Sequence, residues 1–229
     1  MIADINDESA VAVVASLEGK AAYHHTDVTS ESSIEQLLAA TQTEFGRLDI
    51  MCNNAGALVP RGSILEITTE QFDFAIALLF RSVFYGLKHA GRIMAEQGYG
   101  CIINTASTAG LLPGGGPHVY AASKAAVIHL TKSASLELGE KGVRVNCVCP
   151  GGVATNLVLE ALGADESATK GLHDAMGAMR PLGKATTPDD LGRAVAFLAS
   201  DGAAAITGQS LTVDAGEVTG VLWSQQAVK

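Results

Sequence analysis

Residues 101–124 read CIINTASTAGLLPGGGPHVYAASK, and the rest of the chain is organised around them. The apolar run Cys101-Ile102-Ile103 has the character of a buried strand and ends in small polar residues at Asn104, Thr105 and Ser107. A Pro/Gly loop, Pro113 to Pro117, leads into a helical pattern that begins near His118 and carries Tyr120 and Lys124. Residues four apart share a helix face, with Cβ atoms roughly 6 Å apart. An ammonium that close is expected to favour the phenolate, lower the tyrosine pKa and make the phenol usable as a general acid or base nearer neutrality. Ser107 leaves the strand at the mouth where open α/β sheets bind ligands, so its hydroxyl can meet a reacting oxygen. Tyr-x-x-x-Lys alone is common on amphipathic helices and has a purely structural reading. The strand, the serine and the glycine loop ahead of it turn the reading toward a site.

Outward from this stretch, strand-like runs at 1–5, 21–25, 48–52, 143–149 and 209–213 alternate with helical patterns at 8–17, 31–45, 69–97, 118–139 and 187–199. Thr29 or Ser30 can cap the second helix; Thr187 can cap the last, with Pro188 at its first position. Residues 154–180 are rich in Gly, Ala and Met and read as a helical, mobile segment covering a substrate. Alternation of this kind predicts one α/β domain over 1–229, a doubly wound, Rossmann-like parallel sheet with helices on both faces. The strands end in Asp4, Asp27, Asn53 to Gly56, Ser107 and Pro150 to Gly152. These ends share the carboxyl edge, where such a fold holds a dinucleotide.

Composition narrows the function. A chain of 229 residues with 48% hydrophobic and 17% charged residues can bury a sizeable core. Its net charge of −9 argues against nucleic acid and anionic membrane as partners. Apolar runs fall short of the ~18 residues of a membrane span. The acidic N-terminus lacks the basic flank of a signal peptide, so a cytoplasmic location is expected. Cys52, Cys101, Cys147 and Cys149 are expected as buried reduced thiols, with Cys147 and Cys149 on opposite faces of their strand, and no metal site is expected. A serine hydrolase is excluded by the missing G-x-S-x-G elbow.

With these residues in view, essentially the whole chain resembles the short-chain dehydrogenase/reductase family. The markers are Asn53-Asn54-Ala55-Gly56, Ser107, Tyr120-Ala-Ala-Ser-Lys124 thirteen residues on, and Pro150-Gly151 followed by Val153 and Thr155. The resemblance implies an oxidoreductase that transfers hydride between NAD(H) and a secondary alcohol or ketone. It makes Tyr120 the acid/base, Lys124 the holder of the nicotinamide ribose, and Ser107 the orienter of the substrate oxygen. It places Asn53, Ala55 and Gly56 along the adenosine side, Asp27 and Val28 at the adenine, Val153 and Thr155 at the carboxamide, and Pro150 and Gly151 among the cofactor-binding residues. Asp4 ends the strand that selects the cofactor, and a carboxylate there favours NAD over NADP. A homotetramer or dimer is implied, joined through the helices at 69–97 and 118–139.

Two departures from the family stand out. The first strand and its glycine-rich loop are absent, so the chain is expected to be N-terminally truncated, with a gap in the centre of its sheet. Residues 1–28 would then slide across to pair with 48–52 or stay loosely attached. In addition, Leu79 stands where the family has a catalytic asparagine, leaving its backbone carbonyl, or weakly Ser82, to hold the relay water. Together these support a rival reading, a catalytically impaired or inactive relative acting by binding or oligomerising. Leu157, Leu159, Leu162, Met176 and Met179 suggest an apolar, adaptable pocket for the substrate.

Overall fold

Strand-forming runs and helical patterns become, in a computed structural model that describes residues 1–155, 158–159 and 163–219, the following order. It runs β1 (Ile2–Asp4), α1 (Asp7–Ser16), β2 (Tyr23–His25), α2 (Glu31–Phe45), β3 (Ile50–Asn53), α3 (Thr69–Ile76), α4 (Ser82–Gln97), β4 (Gly100–Thr105), α5 (His118–Gly139), β5 (Val143–Pro150), α6 (Thr169–Ala178), α7 (Pro188–Ala199) and β6 (Ser210–Val213). Capping decides several boundaries. The Ser30 hydroxyl accepts from Ser33 N–H at the start of α2, and Thr187 and Asp190 cap each other's backbone at the start of α7. Within the substrate-covering segment, α6 is described over Thr169–Ala178; Leu157 and Leu162 lie outside the described residues.

Alternation along the strands sets the layers. Ile102 on β4 and Val143, Val145, Cys147 and Cys149 on β5 pack with Val83, Leu87 and Met94 of α4 and Val127 and Ile128 of α5. Cys101, Ile103 and Val148 face the other way, against Leu198 of α7. Strands covered on both faces must be apolar at successive positions, which is why they read as unbroken apolar runs. Cys147 and Cys149 therefore do not face opposite sides as expected: residues two apart on a strand share a face, and both side chains lie in the same core layer.

The sheet is parallel throughout but divided. Among the described residues, β3, β4, β5 and β6 pair in that order, while β1 pairs only with β2, Asp4 opposite His25. Residues 1–28 have not slid across to β3. Ile2 N–H donates to Ala22 and Thr26 N–H to the Asp4 carbonyl, so the backbone of Ile2 and Asp4 serves β2 and that of Ala3 faces away. The opposite edge of β3 is likewise unpaired, and between them lies a slot of about 140 Å³ lined by Ala3, Asp4, Val28, Met51, Asn53 and Ala55, among others. Among the described residues, no helix is long and apolar enough to cross a membrane.

Candidate active site

α5 brings the central side chains together. Its first turns carry Tyr120 (9% exposed) and Lys124 (3%) into the core at the carboxyl ends of β4 and β5. Ser107 (8% exposed) follows β4 and caps a short 3-10 turn, its Oγ accepting from Ala109 N–H at 3.1 Å. Glycines leave room for this: a Cβ on Gly116 would stand 3.0 Å from the Tyr120 ring. Lys124 Nζ donates to the Thr105 carbonyl at 2.7 Å and lies 5.6 Å from the centroid of the Tyr120 ring.

The electrostatics differ from the expectation. Burial pushes the Tyr120 phenol above its ordinary value, and a hydrogen bond with Ser107 offsets only part of that. Lys124 does not lower it, because the ammonium is directed at Thr105 and is itself desolvated. Burial pulls Lys124 down to about 8, against a contrary pull from the Cys149 and Cys147 thiols. Those neighbouring thiols shift in opposite directions, their interaction lowering Cys147 and raising Cys149.

The cofactor-side candidates fall into two groups. Asp4, Val28, Asn53 and Ala55 line the slot, with Asn54 beside them. Asp27 stands close by but turns its carboxylate to its own loop, accepting from Thr29 N–H at 2.9 Å and from the Thr29 hydroxyl at 2.7 Å. Asn53 is tied inward: its Nδ2 donates to Asn104 Oδ1 at 2.8 Å, and Asn104 donates to Thr131 at 2.9 Å. Gly86 makes room for this link, since a Cβ there would overlap the Asn53 amide. Gly56 lies by the central set, where a Cβ would meet Leu79 at 3.4 Å and Lys124 Nζ at 3.8 Å. Pro150, Gly151, Val153 and Thr155 line the turn after β5, and Val153 bridges to Thr186.

Leu79 sits in a five-residue π-helical turn, Ala77–Arg81, between α3 and α4. It is fully buried with Ala75, Ala109, Val119 and Tyr120. Ser82 is no substitute relay: its hydroxyl donates to the Leu78 carbonyl at 2.6 Å and it lines the slot, away from Lys124. The sequence reading missed Asn104, Thr131 and the Thr105 carbonyl as supports of the site. A buried asparagine inside an apolar strand was the available signal for the first.

Comparison with known proteins fits this geometry. Residues 1–217 match a family model described as enoyl-(acyl carrier protein) reductase. The chain is 40% identical to momilactone A synthase of Oryza sativa subsp. japonica over 218 residues, 94% of this chain and 79% of that protein. It is 40% identical to (+)-borneol dehydrogenase 2 of Salvia officinalis over 222 residues, 94% of this chain and 78% of that one. The chain belongs to the short-chain dehydrogenase/reductase family. Short-chain dehydrogenase reductase 3b of Arabidopsis thaliana is a further relative, 38% identical over 94% of this chain and 84% of its own length. The fold follows the same family: the crystal structure of levodione reductase superposes with a TM-score of 0.86, at 29% identity, over 95% of this chain and 87% of that one. Short-chain dehydrogenase/reductase proteins are oxidoreductases that use NAD or NADP on small molecules, and this chain is an oxidoreductase of that kind.

Proposed function

We propose that this protein transfers hydride between NAD(H) and a secondary alcohol or ketone of apolar character. The observation that carries the proposal is the convergence of Ser107, Tyr120 and Lys124 at the carboxyl edge of β4 and β5. A bound nicotinamide supplies or accepts the hydride. The Tyr120 hydroxyl gives the substrate oxygen its proton, or takes it back, and Ser107 orients that oxygen. Lys124 holds the nicotinamide ribose. A phenol raised by burial stays protonated at neutral pH, which suits it to protonate a ketone. Asp4 supports NAD over NADP, since its carboxylate at the end of β1 accepts from ribose hydroxyls and repels a 2′-phosphate. The relatives named for borneol and momilactone A favour an apolar, alicyclic substrate class.

The residues fit the two halves of the cofactor unequally. Lys124, Gly56 and the turn 150–155 suit the nicotinamide and its ribose. The diphosphate is not matched among the described residues: the helix start after β1 carries Asp7 and Glu8, and carboxylates there repel an anion. The slot beside β1 and β3 supports the reading that a further strand and glycine-rich loop belong between them. It equally supports the second reading, an impaired relative that binds or oligomerises. NADH titration separates them, using this chain and one extended upstream by a strand and glycine loop. Binding by the longer chain alone would support truncation; binding by both would show that the short form completes its groove another way. Failure of both favours the inactive relative. Where NADH binds, Tyr120→Phe is expected to cut turnover of an apolar secondary alcohol by about 10²–10⁴-fold. Undiminished turnover in that variant would remove Tyr120 from the mechanism. Association into a dimer or tetramer through α4 and α5 is part of the same proposal.

A further inference from the structure

Behind the turn that follows β5 stands an ion pair that the proposed chemistry does not use. Arg180 Nη2 lies 2.9 Å from Glu217 Oε1, and their side chains are only 11% and 27% exposed. The other carboxylate oxygen, Glu217 Oε2, accepts from Gly152 N–H at 2.9 Å. The approach is close enough to dictate both glycines. A Cβ on Gly151 would collide with Glu217 Oε2, and one on Gly152 would stand 2.9 Å from Arg180 Nη2. Glu217 is in turn held from below. Asp214, 7% exposed, accepts from Gly216 N–H and Val218 N–H, each at 2.8 Å. Leu182 N–H donates to the Ala215 carbonyl at 3.2 Å, and Gly151 N–H to the Val213 carbonyl at 3.1 Å. Three segments therefore meet on two side chains: the turn after β5, the end of the segment that carries α6, and the 3-10 turn after β6.

We infer that Arg180 and Glu217 are positioning residues, which brace the Pro150–Gly152 turn and thereby set how tightly the chain holds the nicotinamide end of its cofactor. The inference rests on the function proposed above. One carboxylate here meets a cation and a backbone N–H together, and charge-assisted bonds of that kind are stronger than neutral ones. Removing Glu217 leaves the Gly152 N–H and the Arg180 guanidinium without their partner, so the turn loses its fixed position without any residue of the proton-transfer set being touched.

The test combines amide exchange at Gly152, measured without cofactor, with NADH titration and steady-state kinetics. Glu217→Ala is expected to speed Gly152 exchange and weaken NADH binding about tenfold each, while Tm moves by less than about 3 °C. The loss should appear in the KM for cofactor more than in kcat. Glu217→Gln keeps an acceptor for Gly152 without the charge and should fall between; Arg180→Lys should retain most of the binding. Unchanged exchange and unchanged NADH affinity in Glu217→Ala would overturn the inference alone. A general rise in exchange across β4 and β5 would overturn it too, by showing a merely structural role. Failure of NADH to bind both the unsubstituted chain and its upstream-extended form would overturn the functional reading and, with it, the cofactor part of the inference.

Discussion

Lys124 carries the clearest thermodynamic signature in the molecule. Burial holds its pKa near 8 in the folded state, against an ordinary 10.5. Between these values the unfolded chain binds more protons than the folded one, so the contribution of this site to stability rises with pH. Lys124→Met removes that dependence. The Tm of the unsubstituted protein should therefore gain about 5 °C on that of the variant between pH 8 and pH 10. The window stops there because Tyr120 titrates from an ordinary value of 10 and is raised by folding, which reverses the sign above it. Parallel thermal melts read the difference, and a constant gap would show that Lys124 is not desolvated. Leu79 makes the complementary case. It packs fully buried beside Tyr120, so Leu79→Asn sets an amide among apolar neighbours and should lower stability by roughly 2–4 kcal/mol without raising turnover. A strong rise in turnover would instead show that the proton path is impaired by leucine. The Ser107, Tyr120 and Lys124 set was legible because it is local in sequence: one strand end, one loop, one helix turn. The direction of the Lys124 ammonium was not, because its acceptor, the Thr105 carbonyl, is supplied by packing between α5 and β4.

At the scale of elements, what could be read depended on whether the deciding interaction is local. Thr187 and Pro188 announce the start of α7 through a cap made within four residues, and the cap is present. The π-helical turn at Ala77–Arg81 has no such signal, since Ala-Leu-Leu-Phe-Arg continues the helical pattern of its neighbours. The paired helices α4 and α5 also show a surface that the chain itself leaves uncovered. A groove of about 430 Å³ runs between them, with Phe84, Leu87, Gly91, Leu130, Ala134 and Leu138 on its apolar walls. Phe84 is 46% exposed and Leu136, on the adjoining face, 77%. Lys88, Arg92, Glu137 and Lys141 flank these apolar walls, and a groove that is apolar within and charged of both signs at its edges is suited to a second copy laying the same helices against it. Ala134→Arg puts a guanidinium in the middle of the groove and should shift the protein to monomer in sedimentation velocity, with Tm of the protomer fold little changed. An oligomer that survives this substitution must be joined elsewhere.

The whole molecule is uneven in a way that follows from its divided sheet. The four-stranded sheet is covered by α4 and α5 on one face and α7 on the other, and its strands carry seven of the twelve largest fully buried side chains. The unit formed by β1, α1 and β2 has a different character. Within residues 1–28 only Ala10 and Thr26 are buried, while Ile5, Val11, Val13 and Leu17 are exposed. The strand order of the family made a gap at this position foreseeable, but not how the chain would accommodate it. Residues 1–28 keep the parallel pairs Ile2–Tyr23, Ala3–His24 and Asp4–His25 among themselves and leave the other edge of β1 open toward β3. The result is a subunit held by few apolar contacts beside an unpaired edge, and regions of that kind open at free energies well below global unfolding. Native-state exchange should therefore show Thr26 N–H, bonded to the Asp4 carbonyl, opening at least about 3 kcal/mol more easily than the amides of β4 and β5, a difference of more than a hundredfold in protection. In the chain extended upstream, a strand between β1 and β3 would give both unpaired edges a partner and raise Thr26 toward the protection of the core. Equal protection in the present chain would mean that β1, α1 and β2 unfold only with the rest, and that the slot does not weaken the molecule.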